Sequence, residues 1–98
     1  MLHIHEEAER EFLDGAEYIA EDSFSASEEF IDIIESGLRQ IEAHPYRYPR
    51  YAKHYRVKVI AKFHYSIFYR IRGEDVYALA IYHDSRKPNR WMKREFKQ

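Results

Sequence analysis

The 98-residue sequence contains no cysteine. Disulfides, cysteine-ligated zinc and a thiol nucleophile are therefore excluded. Glycine and proline occur only three times each, and the glycines are scattered, so no glycine-rich loop is present to cradle a nucleotide phosphate. The hydroxyl residues lack the context of a nucleophile elbow. No apolar run approaches the length that crosses a bilayer, and the N-terminus has no signal-peptide pattern, so the expected setting is cytoplasmic, with no membrane partner. The length suits one domain over residues 1–98, with a modest core.

Basic residues are scarce in the first half. Residues 1–44 hold 13 acidic side chains and only two basic ones, Arg10 and Arg39, a net of −11. Residues 45–98 hold four acidic and 14 basic side chains, a net of +10. The overall charge of −1 thus conceals two oppositely charged halves. Either the basic half meets a polyanion, or the halves neutralise each other where they pack.

The nine tyrosines lie mostly in the second half, where apolar alternation is strongest. Phe63, Tyr65, Ile67, Tyr69 and Ile71 recur at every second position and predict one face of a strand. Arg72-Gly73-Glu74-Asp75 predicts a tight turn, with Gly73 able to take positive φ. Val76 to Ile81 is a β-favouring run expected to be buried on both faces. It ends on Tyr82, His83, Asp84, Ser85 and Arg86, a cluster of polar groups at a strand exit.

Upstream, Leu2 to His5 alternates like a short strand. Glu6 to Glu21 carries a helical stripe of Ala8, Phe12, Ala16, Ile19 and Ala20. Ser25 followed by Glu28 predicts a capping box and a second helix from Ala26 to about Ala43, striped by Phe30, Ile31, Ile34, Leu38 and Ile41. Pro45 ends that helix by disfavouring helical geometry at His44. So short a link between the helices predicts an antiparallel hairpin. His44 to Arg50 is expected to be an irregular connector, and Tyr55 to Val59 a strand with one apolar face and one basic face. Trp91 to Phe96 predicts a short last helix. The fold class is α+β, with a short N-terminal strand, a helical hairpin packed on a mainly antiparallel sheet of three further strands, and a terminal helix.

Several ordered elements resemble the RelE/ParE toxin superfamily. They are Pro45 with Pro49, Tyr55-Arg56, Phe63-His64-Tyr65-Ser66-Ile67-Phe68-Tyr69, and His83-Asp84-Ser85-Arg86-Lys87-Pro88 with Trp91 and Arg94. That family's pattern ends in a strand followed by His-x-x-Arg-x-Pro and Trp-x-x-Arg; its usual Phe-Pro-Tyr stands here as Phe63-His64-Tyr65. The resemblance covers essentially the whole chain. It implies the toxin of a bacterial type II toxin–antitoxin pair, neutralised by a cognate antitoxin that wraps its surface. RelE-like members cut messenger RNA on the ribosome, whereas ParE-like members poison DNA gyrase and are not nucleases. The C-terminal pattern here resembles that of sequences often grouped on the ParE, or plasmid-stabilisation, side.

The site residues follow from these alternatives. A metal-free ribonuclease must activate a 2′-hydroxyl, stabilise a charged phosphorane and protonate a leaving oxygen. His83 would serve as acid or base near neutral pH and Arg86 would hold a phosphate; these are the catalytic candidates if the chain is a nuclease. Arg56, Lys58, Lys62, Arg90 and Arg94 are the candidates for contact with a target or nucleic acid. The structural alternative is that His83 caps a strand end, Arg86 pairs with Asp84 or a helical carboxylate, and the strand cations form a solvated face or the antitoxin's landing strip. Trp91 reads as a core plug and the tyrosines as sheet packing. His3 and His5 share a strand face, but without cysteine or a suitably spaced carboxylate they do not make a metal site. No cofactor, metal or small-molecule substrate is implied. The leading expectation is a ParE-like toxin acting on gyrase. The alternatives are a ribosome-dependent endoribonuclease and a non-toxic antitoxin-binding module.

Overall fold

The computed structural model describes residues 1–96. Strand β1 (Leu2–Ile4) leads into helices α1 (Glu6–Asp22) and α2 (Phe24–Ala43), followed by strands β2 (Arg50–Tyr51), β3 (Tyr55–Ile60), β4 (Tyr65–Arg72) and β5 (Asp75–His83). Short 3-10 turns occupy Lys62–His64 and Arg90–Lys93. The strands form one five-stranded sheet in the order β1-β5-β4-β3-β2, in which β1 runs parallel to β5 and every other pairing is antiparallel. The α+β class is as the residue patterns predict, and the sheet is mixed. No helix among the described residues is long and apolar enough to cross a membrane.

The helical hairpin covers one sheet face. Phe30, Ile34 and Ile41 from α2 and Ala8 from α1 are fully buried with Ile67, Tyr69 and Ala78 from the sheet. Gly15 lets α1 approach closely, since a β-carbon there would come within 2.6 Å of the Tyr65 hydroxyl oxygen and 3.1 Å of the Phe30 ring. The opposite sheet face is plugged by Trp91, fully buried and stacked on Phe68 with ring centroids 4.5 Å apart, with Tyr55 edge-on at 4.9 Å. The two faces alternate along β4 as strand geometry requires. Val76 to Tyr82 is buried throughout except at half-buried Tyr77, matching the expectation for β5.

Several expectations are corrected. The cap of α2 is Ser23, whose hydroxyl accepts from the Ala26 amide at 3.1 Å, so the helix starts at Phe24 and no Ser25–Glu28 box forms. Ser25 bonds to the Ser23 hydroxyl instead, and Ser27 donates to the Ala16 carbonyl of α1 at 2.6 Å. The connector after α2 contains the short edge strand β2, which two residues are too few to mark with a period. Phe63 lies outside β4, in a turn with φ of +71° followed by His64 at +60°, yet still packs on the hairpin-side core. Trp91 anchors a 3-10 turn over Arg90–Lys93 rather than a helix to Phe96. Gly73, at φ +61°, makes the β4–β5 turn as expected, and α2 stops at Ala43 before Pro45.

Candidate functional site

β5 outruns its neighbour β1. Val76 donates to Met1, and Ala78 accepts from His5 at 2.9 Å, where α1 begins. A bulge then leaves Leu79 unmatched, because Phe68 faces Ala80 while Tyr69 faces Ala78. Beyond it, the Ile81 amide donates to Glu11 Oε1 at 3.1 Å and the Leu79 carbonyl accepts from Arg94 Nη1 at 2.9 Å. Arg94 also grips both Glu11 oxygens, at 2.9 and 2.6 Å. The two side chains satisfy a strand edge that would otherwise need another strand. Burial disfavours the Arg94 charge, but the Glu11 hydrogen bonds outweigh it and hold Arg94 above its ordinary pKa.

Arg86 joins the same carboxylate, donating to Glu11 Oε2 at 3.0 Å while its guanidinium lies 4.5 Å from the centre of the Tyr82 ring. Arg86 and Arg94 thus converge on Glu11, the helical carboxylate pairing anticipated for Arg86. Between α1 and the end of β5 lies a notch of about 350 Å3 lined by Glu11, Asp14, Tyr18, Tyr65, His83 and Arg86 among others. The Ser85 amide donates to His83 Nδ1 at 3.1 Å, and the Ser85 hydroxyl lies 2.8 Å from the same atom. An amide can only donate, so Nδ1 is the acceptor and neutral His83 carries its proton on Nε2. The His83 ring meets Tyr65 edge-on at 5.3 Å. Burial raises the Tyr65 hydroxyl above its ordinary pKa, with the Arg86 cation pulling the other way.

The strand cations lie elsewhere. Arg56, opposite Tyr69, donates to the carbonyls of Tyr48 at 2.7 Å and Tyr46 at 3.4 Å. Lys58, opposite buried Ile67, lies 4.6 Å from the Tyr48 ring centre and lines a groove against α2. Both side chains point to the hairpin side of the sheet, while Tyr55, Val57 and Val59 face the other way. Lys62 pairs with Glu29 of α2. Arg90 is exposed in the last 3-10 turn. His83 and Arg86 are brought together in the notch; Arg56, Lys58 and Lys62 do not line it. His3 is hydrogen-bonded to Asp75, and His5 caps α1 and contacts the Glu95 carbonyl.

Glu11, Gly15 and Tyr65 are site residues that motif spacing does not single out. Glu11 does carry a readable signal, since it falls three residues after Ala8 and four before Gly15, on the buried stripe of α1. Nothing in sequence spacing marks Tyr65 as a notch residue rather than a packing one.

Comparison with known proteins adds one finding: a family model described as the ParE toxin of the type II toxin–antitoxin system parDE matches residues 2–88. No curated protein sequence matches the chain. The matched span takes in both helices, all five strands and the His83–Arg86 exit. Membership carries with it a cognate antitoxin partner. This chain belongs to the ParE toxin family of type II toxin–antitoxin systems.

Proposed function

We propose that this toxin arrests growth by binding a macromolecular target, DNA gyrase, and that its antitoxin neutralises it in the cytoplasm by covering its surface. The observation that carries this reading is where the cations are committed. Arg86 and Arg94 are held by Glu11, Lys62 by Glu29, and Arg56 by two backbone carbonyls. A metal-free ribonuclease needs several cations and a proton-transfer pair around one phosphate. The hydrogen bonds these groups make favour structural tasks for them. Neutral His83 offers Nε2–H as a donor, with its Nδ1 lone pair engaged by the Ser85 amide. A binding surface makes no such demand.

For the antitoxin, β3 offers an edge. The Val57 amide bonds to the Pro49 carbonyl, but β2 extends no further alongside, and Val59 beyond it is 61% exposed. The adjoining groove of about 290 Å3, lined by Ile33, Gly37 and Ile60 with Lys58 and Asp32, suits an extended or helical segment with apolar anchors.

A second reading, ribosome-dependent cleavage of messenger RNA, is favoured by the meeting of Tyr65, His83 and Arg86 in one notch. Inducible expression in a bacterium, followed by plating counts and primer extension on a highly translated message, separates the two. Growth arrest with intact messages and an induced DNA-damage response is the expected result. Codon-spaced cuts, abolished by H83A or R86A, would replace gyrase with the ribosome as target. Harmless overexpression would leave a module that only binds its antitoxin.

A further inference from the structure

At the far end of the sheet, the β2–β3 turn and the ends of β3 and β4 enclose a shallow trough of about 430 Å3. Its lining includes Arg50, Lys53, His54, Arg56 and Arg70, and no carboxylate. Among the described residues, Arg50, Lys53 and Arg70 form no ion pair, and Arg56 meets only carbonyl oxygens. These charges are therefore uncompensated, although the N-terminal half of the chain is strongly acidic. Tyr46 stands at the rim, 68% exposed, with the Arg56 guanidinium 5.3 Å from its ring centre. The turn is held by Ala52 at φ +56°, a left-handed conformation that an alanine adopts at a cost.

We propose that this trough binds the phosphodiester backbone of single-stranded nucleic acid. Three cations unpaired among the described residues, Arg50, Lys53 and Arg70, around an open channel match a run of phosphates, and each contact gains by releasing condensed counterions. An exposed tyrosine beside an arginine supplies a stacking surface for a base, which an acidic peptide does not require. The residues are distinct from His83, Arg86 and Glu11, so the surface does not depend on the chemistry of the notch. Nor does it rest on gyrase as the target.

The test is fluorescence anisotropy of a short labelled oligodeoxythymidylate titrated with the purified toxin across a salt series. The expected result is binding that weakens steeply with salt, with a log–log slope of about −0.7 per phosphate neutralised. The exposed double variant R50A/K53A should weaken binding at least about tenfold and flatten that slope by about 1.4, because two phosphates would keep their counterions. Arg39→Ala, a surface cation on α2, should leave it unchanged. Should the double variant fold poorly, Lys53→Glu alone, at an exposed turn, must still weaken binding. Salt-insensitive binding, undiminished affinity in either trough variant, or equal affinity for a poly-glutamate peptide of matched length would overturn the assignment.

Discussion

Glu11 and Arg94 stand 83 positions apart and together finish the edge of β5: the carboxylate takes the Ile81 amide and the guanidinium takes the Leu79 carbonyl. The side chains are only 9% and 13% exposed, so the pair works in a partly dry setting where losing one member is expensive. Removing Glu11 strands two guanidinium groups and one amide. Glu11→Ala should cost about 3 kcal/mol in urea unfolding. Arg94→Ala, which leaves Glu11 still bonded to Arg86, should cost about 1.5–3 kcal/mol. A loss below about 0.5 kcal/mol in E11A would show that the edge needs no plug.

The close approach of α1 to β4 gives a second expectation. Gly15→Ala gains helix propensity of about 1 kcal/mol, but its new methyl meets the Tyr65 hydroxyl oxygen and Phe30 ring. The overlap should win, giving a net loss of about 1–2 kcal/mol. In a Tyr65→Phe background the oxygen is gone, so the double-mutant cycle should show G15A becoming milder. An unchanged penalty would place the strain at Phe30 instead.

Alkaline unfolding tests the Tyr69 hydroxyl, which donates to the Pro45 carbonyl at 2.6 Å. Burial pushes its pKa up from 10 to about 12. The unfolded chain therefore loses this proton first, and the stabilisation is complete below pH 10 and lost as pH rises through about 12. Tyr69→Phe should be less stable at neutral pH yet lose less further stability above pH 10. Parallel pH profiles for the two proteins would contradict this.

Trp91 reports on the other sheet face. It is the chain's only tryptophan, buried against Phe68, Tyr55 and Tyr51, with an indole N–H that has no partner among the described residues. Trp91→Ala should cost about 3–5 kcal/mol through the cavity it leaves. Trp91→Phe should cost much less, since it removes the unpaired donor along with some volume. Equal losses would indicate that ring volume, rather than apolar filling, decides the site.

The fold was legible where a period was long enough to repeat. The stripes of Phe30, Ile34, Leu38 and Ile41, and of Tyr65, Ile67, Tyr69 and Ile71, placed α2 and β4. Two-residue β2 and the turn at Phe63 had no period to read, and the cap moved from Ser25 to Ser23 because both serines stand in the same link. The site was legible only in part. His83 and Arg86 stood out as polar residues at a strand exit, but Glu11, the partner that decides what Arg86 does, is one carboxylate among many until the helix is laid on the sheet. The bulge at Leu79, which turns Ile81 and Leu79 to the open edge, leaves no mark in composition.

The most direct test of the account is a supercoiling assay with purified gyrase, relaxed plasmid and this toxin, run beside a parallel incubation with translating ribosomes. Binding to gyrase predicts loss of supercoiling and accumulation of cleaved DNA as toxin is added, with messages left whole. Undisturbed supercoiling together with message cut on the ribosome would contradict it, and would return His83 and Arg86 to the centre of the mechanism.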